Sequence, residues 1–133
     1  MADVKKPTTK GRKKKIKKKV PLARICVHAG ENNTIVTFTD LDGMKLGGSS
    51  CGAVGFRGSR KSTPYAAKVA AEKAAELVQG YGIESAHVEV KGLGAGREQA
   101  IRGIVGTGIN LESIIDVTPV PHGGCRPKGR RRV

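Results

Sequence analysis

Three cations and two glycines lie directly in front of an alanine-rich stretch in the segment GFRGSRKSTPYAA, residues 55–67. Glycine-rich turns that lead into the start of a helix often bind phosphate, because backbone N–H groups and the positive end of the helix dipole face the anion. The cations are Arg57, Arg60 and Lys61. Two kinds of chemistry fit such a turn: the nucleotide-binding loop of an enzyme, or a clamp on the phosphates of a nucleic acid.

The nucleotide-binding loop is the poorer fit. A P-loop has the pattern Gly-x-x-x-x-Gly-Lys-Ser/Thr, whereas Lys61 follows Arg60 here and no predicted strand leads straight into the turn. Three cations spread over a glycine-rich turn suit several phosphates better than they suit one nucleotide. A solvated basic turn without a ligand is the alternative interpretation.

A second glycine-rich turn, GLGAGR at residues 92–97, lies between a predicted strand and a predicted helix. It resembles the dinucleotide-binding pattern, but Arg97 occupies the position of the third glycine. In addition, no acidic residue closes a following strand about 20 residues further on, as that pattern requires. As a tight turn that aims backbone amides and Arg97 at an anion, it matches the first turn.

Catalytic chemistry finds little support in the sequence. A two-metal nuclease needs several carboxylates clustered at strand ends. The first predicted strand has no acidic residue, and the other candidates are separated along the chain: Asp40, Glu72, Glu89 and Asp116. None of the three histidines has a neighbouring nucleophile pattern, and the three cysteines form no C-x-x-C pair. We therefore predict that the chain is not an enzyme and has no catalytic residue, cofactor or metal site.

The two ends of the chain carry its net charge of +14. Residues 1–19 contain ten Lys and Arg against one acid, residues 126–133 contain five and no acid, and residues 20–125 contain ten of each sign. Like charges within each run repel one another, so we expect both ends to be disordered arms. These arms should become ordered when they bind along the phosphates of a polyanion. Solubilising tails or a localisation signal are the alternatives. The cations predicted to contact RNA are Lys13, Lys14, Lys15, Lys17, Lys18, Lys19, Arg126, Lys128, Arg130, Arg131 and Arg132.

Two further features indicate that the partner is folded RNA. The chain has four Phe and Tyr residues and no Trp, so few bases can stack on aromatic side chains. We therefore expect recognition of phosphate, sugar and shape. A membrane partner is not predicted, because no run approaches the roughly 18 to 20 apolar residues of a spanning helix and the arms lack an amphipathic face.

Hydrophobic periodicity predicts the elements that must position these turns. Alternating segments predict strands at 24–29, 34–40, 44–50, 86–90 and 111–118. Thr63 followed by Pro64 predicts the start of a helix that reaches about Gln79, and a second helix is predicted at about 97–107. The apolar side of the first helix includes Leu77, and the second helix is predicted to be buried through Ile101, Ile104 and Val105. The βββαβαβ order predicts an α/β fold: one mixed sheet with two helices.

Four segments, in order, carry a resemblance to a known family: NNTIVTFTD, GFRGSRKSTPYAA, KGLGAGRE and DVTPVPHGGCRP. Over roughly residues 22–133 the chain resembles bacterial small-subunit ribosomal protein eleven. The resemblance implies an RNase-H-like α/β domain at 21–125, between a disordered extension at 1–20 and a basic tail at 126–133. It also implies a non-enzymatic, cytoplasmic constituent of the 30S subunit that binds 16S rRNA on the platform, near the cleft where mRNA leaves.

The family's neighbours would then be ribosomal proteins six, seven, eighteen and twenty-one, and a free homo-oligomer is not expected. By the same resemblance, the candidate RNA contacts are Asn32, Asn33, Arg57, Gly58, Arg60, Lys61, Thr63, Gly94, Gly96, Arg97, His122, Gly124 and Arg126. The paired asparagines either contact RNA or shape their turn. The chain departs from the family pattern at Glu31, Gly48 and Gly123. Two rivals stay open: a metal-dependent nuclease on the same fold, and a free-standing regulator that binds RNA nonspecifically.

Overall fold

The computed structural model describes residues 18–132 and contains five strands and two α-helices in that range. In chain order they are β1 (Leu22–Ala29), β2 (Thr34–Thr39), β3 (Lys45–Ser50), α1 (Pro64–Leu77), β4 (Ser85–Lys91), α2 (Arg97–Gly106) and β5 (Asn110–Asp116). Short 3₁₀ turns precede and follow α1, at Gly58–Ser62 and Gln79–Tyr81. The predicted α/β class and the βββαβαβ order are confirmed.

The strands form one mixed sheet in the order β3-β2-β1-β4-β5. The first three strands are antiparallel neighbours, whereas β1, β4 and β5 run parallel to one another. A tight turn joins β2 to β3, where the N–H of Gly43 donates to the carbonyl of Asp40 over 3.2 Å. Because the later strands are joined by helices, β1, β4 and β5 end at the same edge of the sheet.

Both helices pack on one face of this sheet and share its hydrophobic core. Alternation along β1 buries Ile25 and Val27 against the helices and leaves Cys26 and His28 on the opposite face, as predicted. The alanines of α1 let the two helices approach closely. At the crossing, a Cβ on Gly103 of α2 would lie 2.9 Å from the carbonyl oxygen of Lys68.

The apolar side of α1 is not buried to its end, and one burial prediction, for α2, is wrong. Leu77 at the end of α1 is 48% exposed, whereas the next residue, Val78, is buried and packs against Gly47 of β3. Val105 of α2 is 55% exposed. It lies about 100° around the helix from the fully buried Ile104, which faces the core.

The packed part of the chain begins within the segment assigned to the N-terminal extension. Val20 is buried, and its N–H donates to the carbonyl of Tyr81 over 2.9 Å. Residues 119–132 form no regular secondary structure and are exposed. In the range 18–132, neither helix is long and apolar enough to cross a membrane.

Candidate nucleic-acid interface

One edge of the sheet gathers ten of the predicted RNA contacts. Strands β1, β3, β4 and β5 all end there, and both α-helices begin there. The segments on this edge are 30–33 after β1, 51–63 after β3, 92–97 after β4 and 117–118 after β5. We call this set of four segments the loop edge.

The first glycine-rich turn presents its cations to solvent. Gly55 and Gly58 have φ values of +102° and +58°, which turn the chain sharply on either side of Arg57. Arg57 and Arg60 are exposed and Lys61 is half-buried. Within the described part of the chain, none of these three side chains forms an ion pair. Their charges are therefore available to an anion.

The turn ends at the start of α1, where Thr63 caps the helix as predicted. Its hydroxyl accepts a hydrogen bond from the N–H of Ala66 at 3.4 Å and donates to the carbonyl of Arg60 at 2.7 Å. Pro64 occupies the first helical turn, which contains no acidic residue. The positive end of the helix dipole thus adds to the field of the nearby cations.

The prediction omitted Tyr65, which lies beside this turn and is 68% exposed. Its ring meets Phe56 edge-on, with centroids 6.0 Å apart and an angle of 80° between the planes. An open groove of about 440 Å³ runs along Val54, Phe56, Arg57 and Arg60. An exposed aromatic ring beside two exposed guanidinium groups can stack on a base or a ribose. The sequence could have indicated Tyr65 as a candidate contact, because it lies within the same basic segment, residues 55–67.

The glycines of the second turn pack the chain tightly. The N–H of Gly94 donates inward, to the carbonyl of Ala29 at 2.9 Å. A Cβ on Gly96 would collide with the hydroxyl of Thr34 and lie 2.7 Å from the Cβ of Ala67. Gly94 and Gly96 therefore hold the loop against the end of β1 and the start of α1, and this role accounts for both glycines without an anion.

Arg97 is paired within the protein. Its guanidinium donates to the carbonyl of Gly92 at 3.0 Å and to the carboxylate of Asp116 at 2.7 Å. Hydrogen bonds from Thr118, and then the one from Arg97, hold the pKa of the Asp116 carboxyl well below its ordinary value. The prediction treated Arg97 as a free cation and missed this partner, which lies at the adjacent end of the parallel strand β5.

The paired asparagines lie in the turn after β1. The side-chain oxygen of Asn33 accepts from the N–H of Thr34 at 2.9 Å, and its carbonyl accepts from the N–H of Gly30 at 2.8 Å. Asn33 thus shapes the turn, the second of its two predicted roles. Asn32 is exposed at the same edge.

The chain leaves β5 on the loop edge. The N–H of Val117 donates to the carbonyl of Val90 at 2.8 Å, which fixes the first residue beyond the strand. The residues that follow form what we call the C-terminal arm, residues 119–132. All the arm's predicted contacts are exposed: His122, Gly124, Arg126, Lys128, Arg130, Arg131 and Arg132.

The N-terminal cations lie elsewhere. Lys18 and Lys19 are exposed at the start of β1, and Lys19 lies beside Gly82, which precedes β4. An eight-residue strand separates this end of β1 from the loop edge, a distance of about 25 Å. The structure therefore does not bring these lysines together with the other contacts. Lys13, Lys14, Lys15 and Lys17 lie outside the described residues.

The sheet face opposite the helices carries titratable residues that are paired with one another. Arg24 contacts Glu89 at 3.4 Å, and His87 contacts Glu112 at 3.5 Å. Burial, and then the charge of Glu89, raises the pKa of the Cys26 thiol. Across residues 18–132, no three His, Cys, Asp or Glu side chains are grouped so that they could hold a metal ion.

Comparison with known proteins agrees with the motif-based resemblance. The family described as ribosomal protein S11 matches residues 23–132. The chain is 54% identical to small ribosomal subunit protein uS11 of Blochmanniella floridana, over 91% of this chain and 93% of that protein. It is 54% identical to the protein of the same name from Thermus thermophilus, over 90% and 93%. For the uS11 protein of Xanthomonas campestris pv. campestris the identity is 53%, over 96% and 98%.

Proposed function

This chain belongs to the ribosomal protein S11 family, and on that premise we propose that it is a structural RNA-binding constituent of the small ribosomal subunit in the cytoplasm. The observation that supports an RNA-binding role most directly is the composition of the loop edge. Three cations without an ion pair within residues 18–132, the positive end of α1 and the origin of a basic arm share one side of the domain.

The loop edge binds RNA mainly through the sugar–phosphate backbone of the RNA. Arg57, Arg60 and Lys61 neutralise phosphates where rRNA segments crowd together, and each neutralised phosphate releases counterions. Tyr65 stacks on an exposed base or ribose beside them. The C-terminal arm extends the same interface along the RNA. Most of this binding is independent of base identity, because phosphate contacts carry no sequence information.

The finer placement follows the family resemblance. The protein binds the central domain of 16S rRNA on the platform of the 30S subunit, near the cleft where mRNA leaves, and it supports subunit assembly and translation. Its protein neighbours are ribosomal proteins six, seven, eighteen and twenty-one. The role is not enzymatic, and the internal pairing of Glu89, Glu112 and Asp116 within the protein supports this assignment.

Binding to a 16S central-domain fragment tests the proposal, with an unrelated folded RNA of equal length as the competitor. The affinity is measured over a salt series for the wild type and for the triple variant Arg57→Ala, Arg60→Ala, Lys61→Ala. A matched triple, Lys45→Ala, Lys73→Ala and Arg102→Ala, removes the same charge from exposed positions on β3, α1 and α2.

We expect the wild type to prefer the 16S fragment at about 0.2 M salt, where attraction between distant charges is screened. The loop-edge triple should bind at least about tenfold more weakly, and its salt slope should fall by up to about 0.9 for each phosphate that is no longer neutralised. The matched triple should weaken binding far less. Equal affinity of the wild type for both RNAs at every salt concentration would contradict the proposal.

A further inference from the structure

We propose that Asp116 and Thr118 are positioning residues for RNA recognition, because they close a hydrogen-bonded ring that fixes the direction in which the C-terminal arm leaves the loop edge. The inference rests on the proposed function, since the arm's target is the RNA bound at that edge. Neither residue was among the predicted RNA contacts.

The ring contains four residues: Gly92, Arg97, Asp116 and Thr118. Arg97 donates to Gly92 at 3.0 Å and to Asp116 at 2.7 Å. Asp116 accepts from the N–H of Thr118 at 2.9 Å and from its hydroxyl. The same hydroxyl accepts from the N–H of Gly92 at 3.1 Å, which completes the circuit. We call this the Asp116 ring.

The Asp116 ring is also fixed to the sheet, through Gly92. Gly92 has a φ of +97°, and a Cβ there would collide with the carbonyl of Ala29 at the end of β1. The position of Gly92 is therefore dictated by close backbone packing. Thr118 is tied to this fixed point, so the last residue before the arm inherits a fixed position.

The sequence after the ring preserves that direction. Residues 118–121 read Thr-Pro-Val-Pro. Each proline fixes its own φ and restricts the residue before it to an extended conformation. Segments rich in proline act as semi-rigid spacers with a rise of about 3.1 Å per residue. An orientation set at Thr118 is thus transmitted to His122 and the cations beyond it.

The sign of the Asp116 charge supports a positioning role. A half-exposed carboxylate on an edge that binds phosphate repels the ligand, so simple charge attraction favours its removal. Its contacts to Arg97 and Thr118 give this unfavourable charge a structural purpose. If Asp116 only repels phosphate, neutralising it should strengthen RNA binding. If it positions the arm, neutralising it should weaken RNA binding.

Asp116→Asn and Glu112→Gln form the central comparison. Both residues lie on β5, both side chains are about half exposed, and each substitution raises the net charge by one. Thr118→Val removes the hydroxyl from the ring at nearly constant volume, and Thr118→Ser retains it. Affinity for the 16S fragment and for the unrelated RNA is measured at one fixed salt concentration, alongside amide hydrogen exchange of the free protein.

We expect Asp116→Asn and Thr118→Val to weaken binding to the 16S fragment by about fivefold to tenfold, the scale that corresponds to the net contribution of one ordinary hydrogen bond. Binding to the unrelated RNA should not weaken. Glu112→Gln and Thr118→Ser should bind the 16S fragment at least as tightly as the wild type. In the free protein, Asp116→Asn should speed exchange at the Gly92 amide at least severalfold, and Glu112→Gln should not.

Two different failures can be told apart. A wild type without preference for the 16S fragment overturns the proposed function and this inference together. A wild type with that preference, combined with Asp116→Asn that binds as tightly as Glu112→Gln, overturns the positioning role alone. Unchanged exchange at Gly92 in Asp116→Asn overturns it as well, because the ring would then not hold that residue.

Discussion

The guanidinium of Arg97 lies 2.7 Å from a carboxylate oxygen of Asp116, at the junction of the second glycine-rich turn and the end of β5. This pair distinguishes Arg97 from Arg57 and Arg60, which form no ion pair among the described residues. Two kinds of basic residue therefore share the loop edge. One kind forms no ion pair among the described residues, and the other holds the edge together.

Arg97→Ala should destabilise the fold, whereas Arg57→Ala and Arg60→Ala should not. Arg97 loses a charged hydrogen bond to the Gly92 carbonyl, and we expect the free energy of unfolding to fall by about 1–2 kcal/mol. The exposed arginines should change it by less than about 0.5 kcal/mol. Urea denaturation of the three variants measures the difference. Equal stability of all three would show that the hydrogen bond to Gly92 contributes nothing.

Gly96→Ala should also destabilise the protein, by about 1–3 kcal/mol, because the new methyl group would overlap Thr34 and Ala67. Gly106→Ala is the matched control. Gly106 is the last residue of α2, the helix that begins directly after Gly96, and a Cβ there meets nothing within 4 Å. We expect Gly106→Ala to leave stability unchanged or to raise it by up to about 1 kcal/mol, the difference in helix propensity. Indistinguishable unfolding curves for the two variants would rule out the close packing at Gly96.

Deleting residues 1–19 and 126–133 should leave a folded domain that binds RNA weakly. The remaining residues 20–125 contain ten cations and ten acids, and Val20 keeps its hydrogen bond to Tyr81. Circular dichroism should match that of the full chain in its strand and helix signals. The salt slope should fall by roughly 0.7–0.9 for each phosphate that the arms no longer neutralise. Full affinity of the shortened chain at moderate salt would refute the role of the arms.

The stability that Asp116 contributes should depend on pH in a defined direction. Its pKa is lower in the folded protein than in the unfolded chain, because Thr118 and Arg97 donate hydrogen bonds to the carboxylate. Such a group stabilises the fold above its unfolded pKa, about 3.9, and loses that contribution as the pH falls through the folded value. Wild type should therefore exceed Asp116→Asn in stability by a constant amount from pH 7 to about pH 5.

Below about pH 4 that difference should shrink, because the unfolded wild-type chain then takes up a proton at Asp116 while the folded carboxylate stays charged. Thermal unfolding of both proteins between pH 7 and about pH 2.5 measures it. Glu112→Gln, followed over the same range, controls for the change in net charge. A difference that stays constant down to the lowest pH would mean that the carboxylate charge does not stabilise the fold.

Local patterns predicted the elements well and their contacts poorly. The alternation of Ile25 and Val27 with Cys26 and His28 is enough to predict a strand and its buried face. The Thr63–Pro64 pair predicts the start of α1 for an equally local reason. The Arg97–Asp116 pair, by contrast, depends on the register between β4 and β5, which no short-range pattern encodes.

The candidate contacts at Gly94 and Gly96 rest on a residue type that has two uses. A glycine-rich turn beside a helix can present its amides to an anion or permit close packing, and the sequence of residues 92–97 is the same in both cases. Gly94 and Gly96 serve packing in this structure. The separation of Lys18 and Lys19 from the loop edge was predictable, because they precede β1 whereas the other contacts follow strands.

Under the proposed function, the length of β1 sets the distance between two bound RNA segments. Lys19 precedes one end of the strand and Asn33 lies in the turn beyond the other, so anions held at the two ends are separated by about 25 Å. Once one end is bound, the cations at the other end search only a small volume, and their effective concentration at a second segment is high. The folded domain would thereby favour RNA arrangements whose two bound segments lie about 25 Å apart, without reading a base.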